Sequence, residues 1–240
     1  VQYGTTVAIG NVVVSPSEFL PRLFEQGGKL FNAKGQITVD TPEALAALKN
    51  YRETYACSDR TVHDIWKNVL EGFADGSAAM TVVFINYASH ILNSKMSSIA
   101  GKLGFAPVPG GRPLSGGGVM GITRSCAHPE TACAFLSWLY SNQTAPAFTL
   151  LGGLSPCRSA YSNRDIKERY PWLSAARRSF PSAQRRSGSA YYSNFSELQM
   201  ENILAAYVQR AVLGVCTPEE ALAQAQAEMD AHFTANSEFL

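Results

Sequence analysis

The chain has 240 residues, 46% hydrophobic and only 16% charged, with 20 basic residues against 19 acidic ones for a formal charge of +1. Length and apolar content allow one large or two small globular domains with an ample core. The near-neutral balance gives no electrostatic reason to expect nucleic acid or an anionic membrane as partner, and no apolar run approaches the roughly 20 residues that a membrane helix needs.

From the amino end, residues 5–14 (TTVAIGNVVV) are β-branched and apolar, as in a strand. Ser15 then reads as a helix cap, with Pro16 at the first helical position and Glu18 completing a capping box. Phe19, Leu20, Leu23 and Phe24 form the buried stripe of this helix, and Gly27-Gly28 stops it. Gln36 to Val39 is a short strand candidate. Thr41-Pro42-Glu43 opens a second helix with Leu45, Leu48, Tyr51 and Tyr55 inward, and a third runs near Val62 to Phe73 with Ile65, Trp66, Val69 and Leu70 on one face.

Ala78 to Ile85 (AAMTVVFI) is a continuous apolar run of strand length, suited to a strand covered on both faces. Asn86 and Tyr87 follow directly, then a helix through Leu92. Leu103 to Val108 reads as another strand, so strands alternate with helices in an α/β layer pattern. The chain then breaks on Pro107, Pro109, Gly110, Gly111 and Pro113, and again at Gly116, Gly117 and Gly118. Prolines hold backbone extended and glycines let it turn or approach closely. An extended segment between such breaks looks like a crossing between two bodies.

Beyond the crossing, Val119 to Thr123 is a short strand candidate. His128 to Tyr140 is a helix with Pro129 at its start and Phe135, Leu136 and Leu139 as its buried stripe, and a second helix ends at Gly152. The glycine pair Gly152-Gly153 leads back to Arg158. Further helix follows, interrupted at Tyr170-Pro171-Trp172, and an Arg- and Ser-rich stretch to Ala190 reads as loop. Its basic cluster, Arg177, Arg178, Arg185 and Arg186, reads as a solvated face. A long helix spans about Asn194 to Leu213 with Leu204, Tyr207, Val208 and Ala211 at helical spacing, and Gly214 ends it. Thr217, Pro218 and Glu220 form a capping box for a last helix that fades after Phe233. No internal repeat is visible.

Catalytic and metal signatures are sparse. Gly116 to Gly121 matches GxGxxG, but a proline-rich crossing precedes it and a strand-like segment follows, the reverse of the dinucleotide context. No GxxxxGK[ST] loop or GxSxG elbow occurs, and the four histidines (His63, His90, His128, His232) lie far apart without ligand spacing. Scattered carboxylates give glycosidase chemistry no support. The five cysteines (Cys57, Cys126, Cys133, Cys157, Cys216) are odd in number, widely spaced and without a CxxC pair. They form neither a disulfide scaffold nor a zinc signature, and one internal bridge stays open beside the simpler reading of buried free thiols.

Six pieces carry a family resemblance: FEQGGKLF at 24–31, FADGSAAM at 73–80, Gly104 to Gly118, His128 to Leu139, Gly152 to Arg158, and TPEEAL at 217–222. In order and spacing the set resembles the C-terminal portion of an extracellular solute-binding protein of a sugar-type ABC transporter, the maltose-binding-protein-like group (family 1). The resemblance implies an α/β, periplasmic-binding-protein-like (type II) fold, with one lobe nearly complete and part of the second. Residues 1–112 and 156–240 would form the C-terminal lobe, and 113–155 an excursion into the other. Val1 is not a natural start, which implies a processed chain or a piece of a longer one, lacking much of one cleft wall.

Function follows as an expectation from the same likeness. It implies an extracytoplasmic receptor, periplasmic or a cell-surface lipoprotein, that captures a sugar or oligosaccharide for an ABC permease, without catalysis, metal or cofactor. The alternatives are the effector-sensing domain of a regulator and, less favoured, a cleft enzyme acting on glycosides. Sugars are held by hydrogen bonds and by stacking on aromatic rings, in a cleft with a few convergent polar groups. The family's ligand-facing positions fall on Asn86, where a Trp is frequent, and on Tyr87. They also fall on the bare backbone of Gly116, Gly117 and Gly118, and on Arg158, whose planar fork suits vicinal hydroxyls or a carboxylate. Ser15, Tyr191, Tyr192, Ser193 and Glu201 match further cleft-facing positions. Loss of the partner lobe would expose the apolar face of 119–155, including Phe135, Leu136 and Leu139, and favour self-association.

Overall fold

The computed structural model describes residues 1–10, 14–60, 66–186 and 196–235. Its sheet is small: β1 (Tyr3–Thr6) pairs in parallel with β2 (Ala78–Thr81), in the register Tyr3 with Ala78, Thr5 with Met80 and Thr6 with Thr81. The parallel pairing needs a long crossover, which α1 (Val14–Glu25), α2 (Pro42–Ala56) and α3 (Trp66–Ala74) supply.

Both long strand expectations shrink. After Thr6 the chain leaves the ladder, although Val7, Ala8 and Ile9 stay buried. The run Ala78 to Ile85 pairs only to Thr81, and Met80 is 63% exposed, so it is not covered on both faces. Among the described residues Gln36 to Val39 contributes one antiparallel bridge, Phe31 with Ile37, and neither Leu103 to Val108 nor Val119 to Thr123 joins a ladder. A strand is defined by its neighbour, and these segments lack one.

Helices follow the sequence more closely. Thr41 caps α2, its hydroxyl accepting from Ala44 N–H at 3.2 Å, and Pro42 takes the first helical position. The first helix departs from expectation. It already includes Val14, so Ser15 lies inside its first turn, and the Glu18 carboxylate accepts from Ala8 N–H at 3.2 Å and pairs with Arg22 at 2.8 Å. In α3 the described side chains Val69 and Leu70 are buried as expected, while Val62 and Ile65 lie outside the described residues.

A 3-10 turn at Ile85–Tyr87 leads into α4 (Ala88–Ile91). After a second 3-10 turn at Pro109–Gly111 come α5 (Pro129–Leu139), α6 (Thr144–Leu150), α7 (Arg158–Ser162) and α8 (Arg164–Arg169). The stretch expected as Arg-rich loop contains α9 (Trp172–Ser179), whose Trp172, Leu173, Ala175 and Ala176 are buried at helical spacing while Arg177 and Arg178 face solvent. Next come α10 (Glu197–Val212) and α11 (Pro218–Ala235). Ser196 caps α10. The capping box of α11 forms in both directions, with Glu220 N–H to Thr217 Oγ1 at 3.2 Å and Thr217 N–H to Glu220 Oε2 at 2.9 Å.

The main core lies between α1, α2, α10 and α11, where Phe19, Leu20, Leu23, Leu48, Tyr51, Met200, Leu204, Leu222 and Met229 are fully buried. Two polar side chains tie the segment after β1 into it. Tyr51 Oη donates to Ala8 O at 2.5 Å, and Gln209 Nε2 donates to Ile9 O at 3.0 Å across 200 residues of chain. A second apolar cluster joins Ala88 of α4, Ala160 of α7, Ile166 of α8, and Tyr170, Trp172, Leu173 and Ala176 at α9.

α5 is unlike the rest. It buries no residue: Phe135 is 50% and Trp138 58% exposed, where the sequence suggested a buried stripe, and Leu136 and Leu139 are half-buried. Val119, Met120, Phe148 and Leu151 are exposed around it. A helix this rich in large apolar residues normally turns them toward a core. Here that surface meets solvent.

Candidate functional site

The candidate site centres on the proline and glycine stretch from Pro107 to Gly118. After Val108 the chain turns through Gly110 (φ 70°) and Gly111 (φ 66°), a left-handed geometry that glycine adopts without strain. Gly111 O accepts from Ser182 Oγ at 2.5 Å. The chain then runs beside the segment after α9: Gln184 N–H donates to Pro113 O at 2.9 Å and Ser115 N–H donates to Gln184 O at 2.7 Å. The crossing is thus a short two-strand seam, with Leu114 paired in parallel to Gln184.

Where the seam ends, Gly116 meets Phe84. A Cβ on Gly116 would stand 3.3 Å from the Phe84 ring, and nothing lies within 4 Å of the corresponding positions on Gly117 and Gly118. Phe84 precedes the 3-10 turn that carries Asn86 and Tyr87. Asn86 is exposed, whereas Tyr87 is half-buried and packs on the cluster of Leu70, Phe73, Ala78 and Ile91. The structure therefore brings the Phe84 to Asn86 turn and the Gly116 backbone together. Phe84 was hidden in the apolar run; the readable signal was an aromatic two residues before Asn86.

Arg158 is exposed at the first residue of α7. Its helix carries Ala160 into the same apolar cluster that holds Ile85 and Ala88, so Arg158 and Asn86 flank one packed unit from different elements. Just before α7, Ser155 is buried and its Oγ accepts from Cys157 N–H at 3.2 Å, while Cys157 Sγ donates to Tyr140 O at 3.1 Å.

Two other sequence candidates are engaged internally. Ser15 is fully buried and its hydroxyl donates to Gly10 O at 2.5 Å. It lies beside Tyr51, whose phenol is pushed well above its ordinary value by burial and then by the Glu18 carboxylate. Glu201 is 4% exposed and forms an ion pair with Arg186, which also donates from Nη2 to Ser17 Oγ at 2.8 Å. Burial lowers the Arg186 guanidinium from its ordinary value, and Glu197 opposes that shift. Tyr191, Tyr192 and Ser193 lie outside the described residues.

Among the described residues no group of three His, Cys, Asp or Glu side chains converges as a metal site, no cysteine is bridged, and no helix is long and apolar enough to cross a membrane. Two open hollows of about 480 Å³ lie elsewhere, one between α2 and the start of α11 and one beside the end of α3. The Phe84, Asn86 and Gly116 surface is an open face with exposed amide, bare backbone and an aromatic ring. It can offer hydrogen bonds and a stacking surface.

The helix-rich α/β body has the fold of the type II periplasmic binding proteins. Maltose-bound MalE3 of T. maritima superposes with a TM-score of 0.79 at 24% identity, covering 95% of this chain and 60% of that one. A solute-binding protein of Agrobacterium radiobacter K84 in complex with ribitol gives 0.76 at 19% identity, covering 96% and 59%. The chain belongs to the bacterial extracellular solute-binding proteins, whose family description matches residues 8–174. A relative named as a probable amino-acid ABC transporter periplasmic-binding protein, from Sinorhizobium fredii, is 22% identical over 232 residues, 95% of this chain. The chain spans 52% of that relative's length.

Proposed function

We propose that the protein is an extracytoplasmic receptor that captures a small polar solute, a sugar or polyol by preference, and delivers it to an ABC permease. The observation that carries this reading is the Phe84 ring, 3.3 Å from where a Cβ on Gly116 would stand and two residues before the exposed Asn86, at the end of a hydrogen-bonded seam. An aromatic face, an amide and bare peptide groups are what sugar hydroxyls and ring faces require. The maltose and ribitol held by the two solved proteins above support the solute class. In this reading residues 113–155 are the excursion into a second lobe, two lobes close over the solute by hinge motion, and no chemistry is performed.

A second reading, capture of an amino acid, is favoured by the name of the Sinorhizobium fredii relative and by the exposed Arg158, whose fork suits a carboxylate. Thermal-shift measurements against sugars, polyols, amino acids and phosphate esters separate the two, because a ligand that binds only the folded form raises the melting temperature by mass action. A rise with sugars or polyols is the expected result. A rise with amino acids alone replaces the solute class, and no rise with any of them when the full-length protein is screened rejects the receptor reading.

A further inference from the structure

The seam is pinned from both sides to the same body. On its outgoing strand, the Glu25 side chain at the end of α1 lies against Gly110, and Ser182 Oγ holds Gly111 O. On its second strand, which runs parallel to the first, Arg186 stands two residues beyond Gln184 and is caught between Glu201 of α10 and Ser17 of α1. The side chains of Arg186 and Glu201 are only 15% and 6% exposed. Past Ser115 this support ends, with nothing within 4 Å of a Cβ placed on Gly117, Gly118 or Gly121.

We propose that Arg186, Glu201 and Ser17 form a positioning post that fixes this second strand, and through Gln184 holds Ser115 and Gly116 in register against Phe84. Glu201 then serves the site through the backbone of the seam and does not touch the solute. A buried ion pair contributes little net stability, because desolvation offsets most of its attraction, while its geometry is demanding. The planar guanidinium fork can reach acceptors on two helices at once, which a lysine ammonium on a flexible stem does less well. The post also sets the pivot: backbone up to Ser115 moves with α1 and α10, and freedom begins at Gly116.

The role in solute binding rests on the receptor reading above; the post itself does not. Amide hydrogen exchange on the whole chain without solute tests the post directly. In Glu201→Gln, Arg186→Lys and Ser17→Ala variants, the Ser115 and Gln184 amides should exchange faster by about tenfold or more, with Leu48 of α2 and Leu222 of α11 unchanged. Unchanged exchange at both seam amides in all three variants overturns the proposal. So does uniform acceleration that includes α2 and α11, which would mark a general structural role. Ser17→Ala keeps the test open if the charge variants fold poorly. If the exchange result holds and no solute binds, the receptor reading falls and the post stands.

Discussion

The Glu25 side chain occupies the space that a Cβ on Gly110 would need: its Cγ would stand 2.4 Å from that atom, and Gly110 has a φ of 70°. Both facts act against any larger residue. Gly110→Ala is expected to cost about 1–3 kcal/mol from left-handed backbone strain and the displaced carboxylate arm. Gly117→Ala, at a position with open space, should stay within about 0.5 kcal/mol of the parent. Urea unfolding of the two variants measures the difference, and equal midpoints would contradict it.

Phe84 and Asn86 separate stability from binding. Asn86 is exposed and its replacement by Ala should leave the melting temperature unchanged while weakening solute binding several-fold. Phe84→Leu keeps apolar volume but removes the flat ring beside Gly116, and the expected loss is again in affinity. Calorimetric titration with the solute found by the thermal screen checks both. Full retention of affinity in both variants would remove this face from the site.

The capping box of α11 makes stability depend on pH. The Glu220 carboxyl is held below its ordinary value of 4.5, first by the Thr217 N–H it accepts from. A carboxyl depressed by folding contributes fully above its unfolded pKa, and that contribution is lost as pH falls through the lower folded value. Glu220→Gln should therefore lower stability near neutral pH and flatten its decline in acid. Parallel denaturation curves between pH 3 and pH 7 for parent and variant, about the range of carboxylate titration, would refute the assignment.

The apolar surface around α5 predicts association. Phe135 and Trp138 sit with ring centroids 5.8 Å apart and are half exposed, and Leu151 is 89% exposed. Large apolar side chains left exposed in this number suit an interaction face. Light scattering of the 240-residue chain should show mass rising with concentration, and Trp138→Ser with Leu151→Glu should reduce the rise. A clean monomer at high concentration rules the association out.

What could be read from the residues was mostly local. Thr41-Pro42 and Thr217-Pro218-Glu220 carry their own cap chemistry, so α2 and α11 were legible to within a residue or two. The strand at Ala78 was overextended because apolarity alone does not say where a neighbouring strand stops, and pairing with β1 ends at Thr81. Trp172 to Ser179 sits in a stretch to Ala190 whose Arg and Ser content suggests loop, although Trp172, Leu173, Ala175 and Ala176 give a helical face. Among the candidate residues, Asn86 follows an apolar run and Gly116 a proline and glycine stretch, and both are exposed. Ser15 and Glu201 looked equally polar, but their partners, Gly10 O and Arg186, are set by tertiary packing and leave no nearby signal.

The bond from Gln209 to Ile9 spans 200 residues, and β1 meets β2 only after three helices have intervened. Contacts of such long sequence separation form late, since the loop entropy must be met before they can stabilise anything. Ala8 finds Glu18 and Tyr51 within the first 51 residues, whereas Ile9 O waits for Gln209 of α10. Loss of α10 would therefore unfasten the start of the chain as well, because Ile9 O would lose its Gln209 donor.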